Sequence, residues 1–304
     1  QRNLDLAKAR IVTIPNPVRA ERAQVFAELP IAELIKRQWI KVDDIRDLGA
    51  VDQALCAFFD GQNPSQIART PHAAKKTSAG EQASPAQLAW LYRVRQIAKE
   101  LLVPKYQEAA ARAAIPRLQA LLSAPEEVRH VPRILQECGI RFVIVEALKS
   151  SKIDGVCLWL DSHSPVIGMT MRFDRMDNFW FVLRHELEHV LQGHGKEEPS
   201  LDVDLNGDVV DEEEKLANAV ASEFCAPKAR IDSFIKRKAP IFPERDFLGL
   251  AKVLGVHPAL VAGQIQFKTG RYDLFRSHLV KIRDRILPNA VVDGWGDVAP
   301  VGLS

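Results

Sequence analysis

The chain has 304 residues, of which 47% are hydrophobic and 26% charged, and its formal net charge is +2. These values are ordinary for a globular protein with one large domain or two smaller ones, and the small charge does not by itself indicate a nucleic-acid-binding surface. Four scattered cysteines without a C-x-x-C pair argue against a disulfide framework and favour reduced thiols. Since neither a signal peptide nor a long apolar run is visible, we expect a cytoplasmic protein with no membrane partner.

The first part of the chain is predicted to consist of helical segments around a linker. Residues 1–60 form an N-terminal helical segment, with a short amphipathic helix over 29–40. Residues 61–84 are rich in Pro, Ser, Ala, Lys and Gly, a composition typical of a linker. A helical region over 85–128 follows, and its first helix is expected to begin with Pro85.

Residues 129–286 are predicted to form one α+β domain. A helix begins at Pro132 and is followed by three strands, over 141–145, 155–160 and 165–170, the last two as antiparallel neighbours. We expect the third strand to lie at an edge of the sheet, where an extended substrate can add by main-chain pairing. The chain as a whole is therefore predicted to be mostly helical, with a small sheet that contains antiparallel strands.

The most informative stretch is the H-E-x-x-H motif of His185, Glu186 and His189, on a helix predicted to run from Asp177 as its N-cap to Gly193. Two histidines four residues apart project from one face of a helix, where both can bind one Zn²⁺. The glutamate between them can take a proton from a water molecule on the metal. The alternative is a chance match with core histidines bonded to the backbone. The helix is apolar on most sides, and buried ionisable groups are costly unless paired or bound to metal, which favours a metal site.

A catalytic zinc site needs a third protein ligand. His194 is a candidate, but the H-E-x-x-H-x-x-G-x-x-H pattern places its third histidine six residues after the second, and His194 comes only five after His189. We therefore reject that class of site and expect His194 to end the helix or line the cleft rim. A second helix, which begins near residue 211, has an apolar stripe that reaches Glu213 and Glu214. Periodicity leaves both open, and an acidic run also suits a solvated helix N-terminus.

Three blocks of the sequence resemble the ImmA/IrrE family of metallopeptidases and together span roughly residues 130–285. The first, MRFDRMDNFWF over 171–181, leads into the H-E-x-x-H motif. The second, EKLANAVASEFCAP over 214–227, is similar to the family signature E-x-x-A-N-x-F-A-x-x-x-x-x-P. The third, VHP and GQIQ within 256–266, is similar to the family's I-H-P and G-R-L-Q ending.

The resemblance implies a zincin-like fold of the gluzincin type. In that alignment His185, His189 and Glu214 hold Zn²⁺, and Glu186 is the general base that later gives its proton to the leaving amine. One departure is Glu188, which stands where the family usually has a small residue. We expect this residue to add a charge near the cleft and to alter substrate preference.

The resemblance also implies a longer parent protein. Many family members carry an N-terminal helix-turn-helix DNA-binding domain, and the segment over 29–40 resembles the stretch that follows it. Because the chain begins at Gln1, we expect such a domain to be missing from it and DNA to be a partner only through that domain. A helix-turn-helix rhythm over 247–263 has few basic residues for base contacts, so we expect it to pack against the core. The C-terminal tail over 287–304 contains no readable motif.

Two functions are compatible with these patterns. The first is a zinc endopeptidase that cleaves a specific protein, such as a DNA-binding transcriptional repressor, because a complete set of ligands and base is present. The second is a regulator or antitoxin-like binding protein that uses a zincin fold for recognition and cleaves little or nothing. A closed structural zinc site is disfavoured, since three ligands beside a glutamate describe an open site.

Overall fold

The fold is α+β, as predicted, in a computed structural model that describes residues 29–62, 75–76, 83–149, 151–196, 200–203 and 212–298. Its helices, named α1 to α11 in chain order, are Ile31–Lys36, Leu48–Phe58, Pro85–Glu100, Glu108–Ala120, Val131–Glu137, Met176–Gln192, Glu212–Cys225, Lys228–Lys238, Glu244–Leu254, Pro258–Thr269 and Arg283–Ile286. Its strands, named β1 to β6, are Lys75–Lys76, Arg141–Val145, Ile153–Trp159, Pro165–Met169, Ser200–Val203 and Val291–Asp293. Residues 1–28 and most of the predicted linker over 61–84 lie outside the described residues.

The strands form one mixed sheet in the order β1-β5-β3-β4-β2-β6. β3 pairs antiparallel with β4 and β5, so the predicted antiparallel neighbours are confirmed, whereas β4 and β6 both pair parallel with β2. The prediction that 165–170 forms a sheet edge is wrong, because β4 lies between β3 and β2. Strands β5 and β6 continue the sheet beyond β3 and β2, and both are too short for their alternation to stand out in the sequence.

Helices cover both faces of the sheet. Alternate residues of a strand point to opposite faces. On β2, Val143 and Val145 pack in the cluster that contains α3, whereas Phe142 and Ile144 pack in the cluster that contains α6. Burial on both faces explains why β2, β3 and β4 are apolar over most of their length. The consequence for the site is that α6 lies directly on β3 and β4.

The N-terminal helices belong to the same core as the sheet. Trp39 stacks on Phe58 with ring centroids 6.1 Å apart, and both side chains pack in the cluster that contains α3. The Arg37 guanidinium donates hydrogen bonds to the carbonyl oxygens of Glu146 at 2.6 Å and Ala147 at 2.8 Å. These contacts join the described part of the N-terminal segment to the loop that follows β2.

Two C-terminal segments complete the fold: one packs against the core, as predicted, and the other adds a strand to the sheet. The segment predicted to pack against the core forms α9 and α10, and α10 contacts α6. Beyond residue 287 the chain supplies β6, where the buried Asp293 pairs with Arg93 of α3. Within the described ranges, no single helix is long and apolar enough to cross a membrane, and only α9 and α10, bent by 116°, reach that length and composition together.

His257 is the N-cap of α10. Its Nδ1 atom accepts a hydrogen bond from the backbone N–H of Ala259 at 3.1 Å. The backbone N–H of His257 donates to the carbonyl oxygen of Leu122 at 2.8 Å. Only a neutral imidazole can accept in this way. Burial lowers the pKa of His257; Glu126 opposes this shift, and the positive charges of His278 and Arg285 add to it. The folded protein therefore favours the neutral ring.

We predict that this cap makes folding stability depend on pH. Because the folded pKa of His257 lies below its unfolded value of about 6.5, the cap's contribution is complete above that value and is lost as the pH falls through the folded pKa. The loss should be about 1 kcal/mol, the usual contribution of an N-cap. The test is the free energy of unfolding in urea, measured between about pH 7.5 and about pH 5.5 for the wild-type protein and for His257→Asn. Asparagine is also a good N-cap but does not titrate in this range. Identical pH dependence of the two proteins would contradict the prediction.

Candidate metal centre

The helix of the H-E-x-x-H motif, α6, ends where the sequence predicts and begins slightly differently. Gly193 ends it in the left-handed conformation with φ of 75°. The predicted N-cap is wrong, since Arg175 occupies that position and Asp177 lies inside the first turn. The Asp177 carboxylate accepts hydrogen bonds from the Arg175 guanidinium at 3.0 and 2.5 Å. That ion pair occupies the carboxylate, which explains why it does not cap the helix.

Three predicted ligand residues meet between α6 and α7. His185 is 0% and His189 1% exposed, and their Nε2 atoms are 3.0 Å apart. Glu214, on α7, is 4% exposed; its Oε2 lies 3.2 Å from Nε2 of His185 and its Oε1 3.3 Å from Nε2 of His189. In the described part of the chain, these three residues form the group that could hold a metal ion.

The spacing of the three ligand atoms fits a tetrahedral metal ion. With bonds of about 2.0–2.1 Å, adjacent ligand atoms of a tetrahedral ion are about 3.3 Å apart. The two Nε2 atoms are 3.0 Å apart, and the two carboxylate oxygens of Glu214 lie 3.2 Å from Nε2 of His185 and 3.3 Å from Nε2 of His189, respectively. Two imidazole nitrogens and a carboxylate also concentrate lone pairs at one buried point, and burial of such groups is costly without a proton or a cation between them. The donor set therefore suits a divalent cation.

The structure shows which of Glu213 and Glu214 lies beside the motif histidines, a choice that periodicity leaves open. Glu214 lies beside both histidines of the motif, whereas the side chain of Glu213 is 53% exposed. Oε1 of Glu213 lies 3.7 Å from Nε2 of His194, the histidine rejected above as a ligand. One residue step along a helix turns the side chain by about 100°, which takes neighbouring glutamates to different partners.

The carboxylate of Glu186, the predicted base, lies against Gly155 of β3. Glu186 is 0% exposed, and a Cβ at position 155 would lie only 2.0 Å from its Oε1 and 2.8 Å from its Cδ. Glycine is therefore the residue that leaves room for this side chain. Gly155 is not among the predicted site residues, although a glycine inside an apolar strand is a known sign of a bulge or of a close approach by another group. The register between β3 and β5 does shift between Ile153 and Gly155.

Glu188 does not place a free charge in the cleft. It is 7% exposed, accepts a hydrogen bond from Arg184 at 2.8 Å and another from Gln192 at 2.7 Å. Burial alone would raise the pKa of Glu188, but the hydrogen bonds from Gln192 and Arg184 outweigh it and lower the pKa. The charge predicted at Glu188 is therefore paired with Arg184 along one face of α6, and its effect on substrate preference stays a prediction.

A pocket lies between α6, α7 and α10, at the first turns of α6, and its lining contains neither the three ligand residues nor Glu186. Its volume is about 510 Å³, including space open to solvent. Phe181, in its lining, precedes His185 by one helical turn, and the two rings have centroids 6.2 Å apart. Phe267 of α10, 54% exposed, lines the pocket as well. Three helices distant in sequence form this pocket, so no local pattern predicts it.

Comparison of the sequence with known proteins does not assign the chain to a family. A scan of the chain against protein-family models found no match, and a search of curated proteins found none either. The likeness to ImmA/IrrE peptidases is therefore confined to the motifs quoted above. What the site can do must be inferred from its own residues and their geometry.

We predict that removing one carboxylate charge abolishes metal binding. We expect the wild-type protein to bind roughly one metal ion per chain, and Glu214→Gln, which keeps the shape of the side chain but offers a neutral, weaker ligand, should lose it. Glu212→Gln is the matched control, because the Glu212 side chain is 86% exposed and lies two residues away on the same helix. Elemental analysis after purification without chelator measures both variants. Full occupancy of the Glu214→Gln protein would exclude Glu214 as a ligand.

Proposed function

We propose that this protein is a zinc-dependent endopeptidase of the gluzincin type. His185, His189 and Glu214 are the proposed zinc ligands, and Glu186 is the proposed general base. The observation that carries the proposal is the meeting of both motif histidines with a glutamate from a second helix, at separations of 3.0 to 3.3 Å in a buried site. A zincin-like fold and membership of the ImmA/IrrE family belong to the same proposal, and the three sequence blocks support them.

The proposed mechanism divides the work between the metal and Glu186. A bound Zn²⁺ would supply activation of a water molecule and polarisation of the scissile carbonyl. Glu186 accepts the proton of the attacking water and donates it to the nitrogen of the leaving amine. A general base must stay within hydrogen-bond reach of the proton that it takes. The Glu186 carboxylate packs against Gly155, where no side chain displaces it, and this supports the role.

The proposed substrate is a specific regulatory protein in the cytoplasm, such as a transcriptional repressor. The family resemblance supports this class of substrate. The pocket between α6, α7 and α10 supports binding of a partly apolar peptide segment, since Phe181 and Phe267 line it together with polar Asn178, Ser222 and Gln264.

We predict that Glu186→Gln keeps the metal but lowers the cleavage rate by about 10²- to 10⁴-fold, the usual contribution of a general base. Because the substrate is unidentified, the wild-type protein and the variant are each incubated with a cytoplasmic extract. New protein N-termini are then mapped by mass spectrometry. Termini that arise with the wild-type protein alone identify substrates. Equal cleavage by both would refute the assigned mechanism, whereas regulation that survives Glu186→Gln in cells would favour a non-catalytic regulator.

We predict that Gly155→Ala impairs cleavage by displacing the Glu186 carboxylate. The added methyl group cannot fit 2.0 Å from Oε1 of Glu186, so the side chain has to move. Gly168→Ala is the matched control: it adds a methyl group on β4, where the nearest atom is Cγ1 of Val94 at 2.8 Å, away from the metal centre. Thermal unfolding should show that both variants are destabilised. Only in Gly155→Ala should the loss of cleavage activity exceed the loss explained by the unfolded fraction of the protein. Equal losses of activity in both variants would argue against a special role for Gly155.

A further inference from the structure

We propose that His194 and Glu213 form an outer shell that fixes the ring orientation and the protonated nitrogen of His189. This inference rests on the proposed metal centre, because it concerns the side of the His189 ring that faces away from the metal. Nδ1 of His189 lies 3.0 Å from Nδ1 of His194. Nε2 of His194 in turn lies 3.7 Å from Oε1 of Glu213, near enough for an electrostatic contact and longer than a direct hydrogen bond. Together the three side chains form a row from the metal centre to the surface.

The chemistry of this row allows only one order of protons. Nε2 of His189 faces His185 and Glu214, so metal binding there leaves the ring proton on Nδ1. That N–H must donate to Nδ1 of His194, which is then the acceptor. The proton of the His194 ring consequently sits on Nε2, directed at the Glu213 carboxylate. A negative charge at Glu213 favours the two tautomers that metal binding at Nε2 of His189 needs, a role that outer-shell carboxylates play in many metal sites.

The backbone holds His194 in place independently of its ring. Its carbonyl oxygen accepts a hydrogen bond from Nε1 of Trp159 at 2.8 Å, and its N–H donates to the carbonyl of His189 at 2.9 Å. The next residue, Gly195, has φ of 77°, and a Cβ there would lie 2.6 Å from the carbonyl oxygen of Cys157. The turn after α6 is thus packed tightly on β3. This fixes where the His194 ring can reach and makes it a positioning residue for His189.

Adjacent glutamates of α7 consequently act in different shells. Glu214 contacts both motif histidines directly, whereas Glu213 acts on His189 through His194. The simpler interpretation is that His194 only ends the helix and that its ring is incidental. The two interpretations differ in what the ring must offer: a positioning residue needs a hydrogen-bond acceptor near Nδ1 of His189, whereas a residue that only ends the helix does not.

Zinc affinity of purified variants tests the proposal without any substrate. His194→Phe keeps a ring of similar size but has no acceptor, whereas His194→Asn offers an oxygen close to the position of Nδ1. We expect His194→Phe to weaken zinc binding about 10- to 100-fold, the usual effect of losing an outer-shell partner, and His194→Asn to restore most of it. Competition with a chromophoric chelator gives the affinities. The absorption spectrum of the Co²⁺-loaded proteins reports whether the ligand geometry changes.

A second pair of variants covers the case in which His194→Phe does not fold. Glu213→Gln should weaken zinc binding relative to Glu212→Gln, since only Glu213 of these two exposed residues faces His194. Wild-type affinity of His194→Phe, equal weakness of His194→Phe and His194→Asn, or identical affinities of the two glutamate variants would each overturn the proposal. Failure of the wild-type protein itself to bind zinc would instead refute the metal centre on which the proposal rests.

Discussion

The structure depends most on the burial of ionisable side chains on α6 and α7. His185, Glu186, His189 and Glu214 are each at most 4% exposed, and burial of such groups is strongly unfavourable unless protons or a cation compensate them. Two helices that pack this closely would ordinarily place apolar residues at the contact. A divalent cation shared by two neutral imidazoles and a carboxylate would remove most of the cost and join the two helices, and its binding would then be coupled to the folding of this region.

The second requirement is a rigid surface beneath α6, and β3 provides it. Gly155 makes room for the Glu186 carboxylate, and Trp159 of the same strand holds the turn at His194 through its indole N–H. Both residues lie on the face of β3 that carries Cys157, since side chains alternate along a strand. Pairing of β3 with β4 and β5 on its two sides fixes this strand within the sheet. The strand thus positions both the proposed base and the turn that contacts His189.

Local patterns predict those parts of the site that depend on local geometry. The i, i+4 spacing places His185 and His189 on one face, and a glycine ends α6 because only the left-handed conformation fits there. Features that depend on contacts distant in sequence escape such patterns. Periodicity cannot separate Glu213 from Glu214. Their side chains differ by about 100° around the helix axis, and which of them meets the histidines depends on how α7 packs against α6. The prediction that β4 forms a sheet edge fails for the same reason, because its parallel pairing with β2 joins strands that are not consecutive in the chain.

The same angular step explains how one helix can carry so many charged and polar residues. Arg184, Glu188 and Gln192 neutralise one another along one face of α6, within electrostatic range of Arg112 on α4. His185 and His189 occupy the next face and meet α7, while Glu186 occupies a third and meets β3. Each face therefore meets a different partner. That separation is why an acidic residue at position 188, where the resembling peptidases have a small one, is compatible with an assembled ligand set.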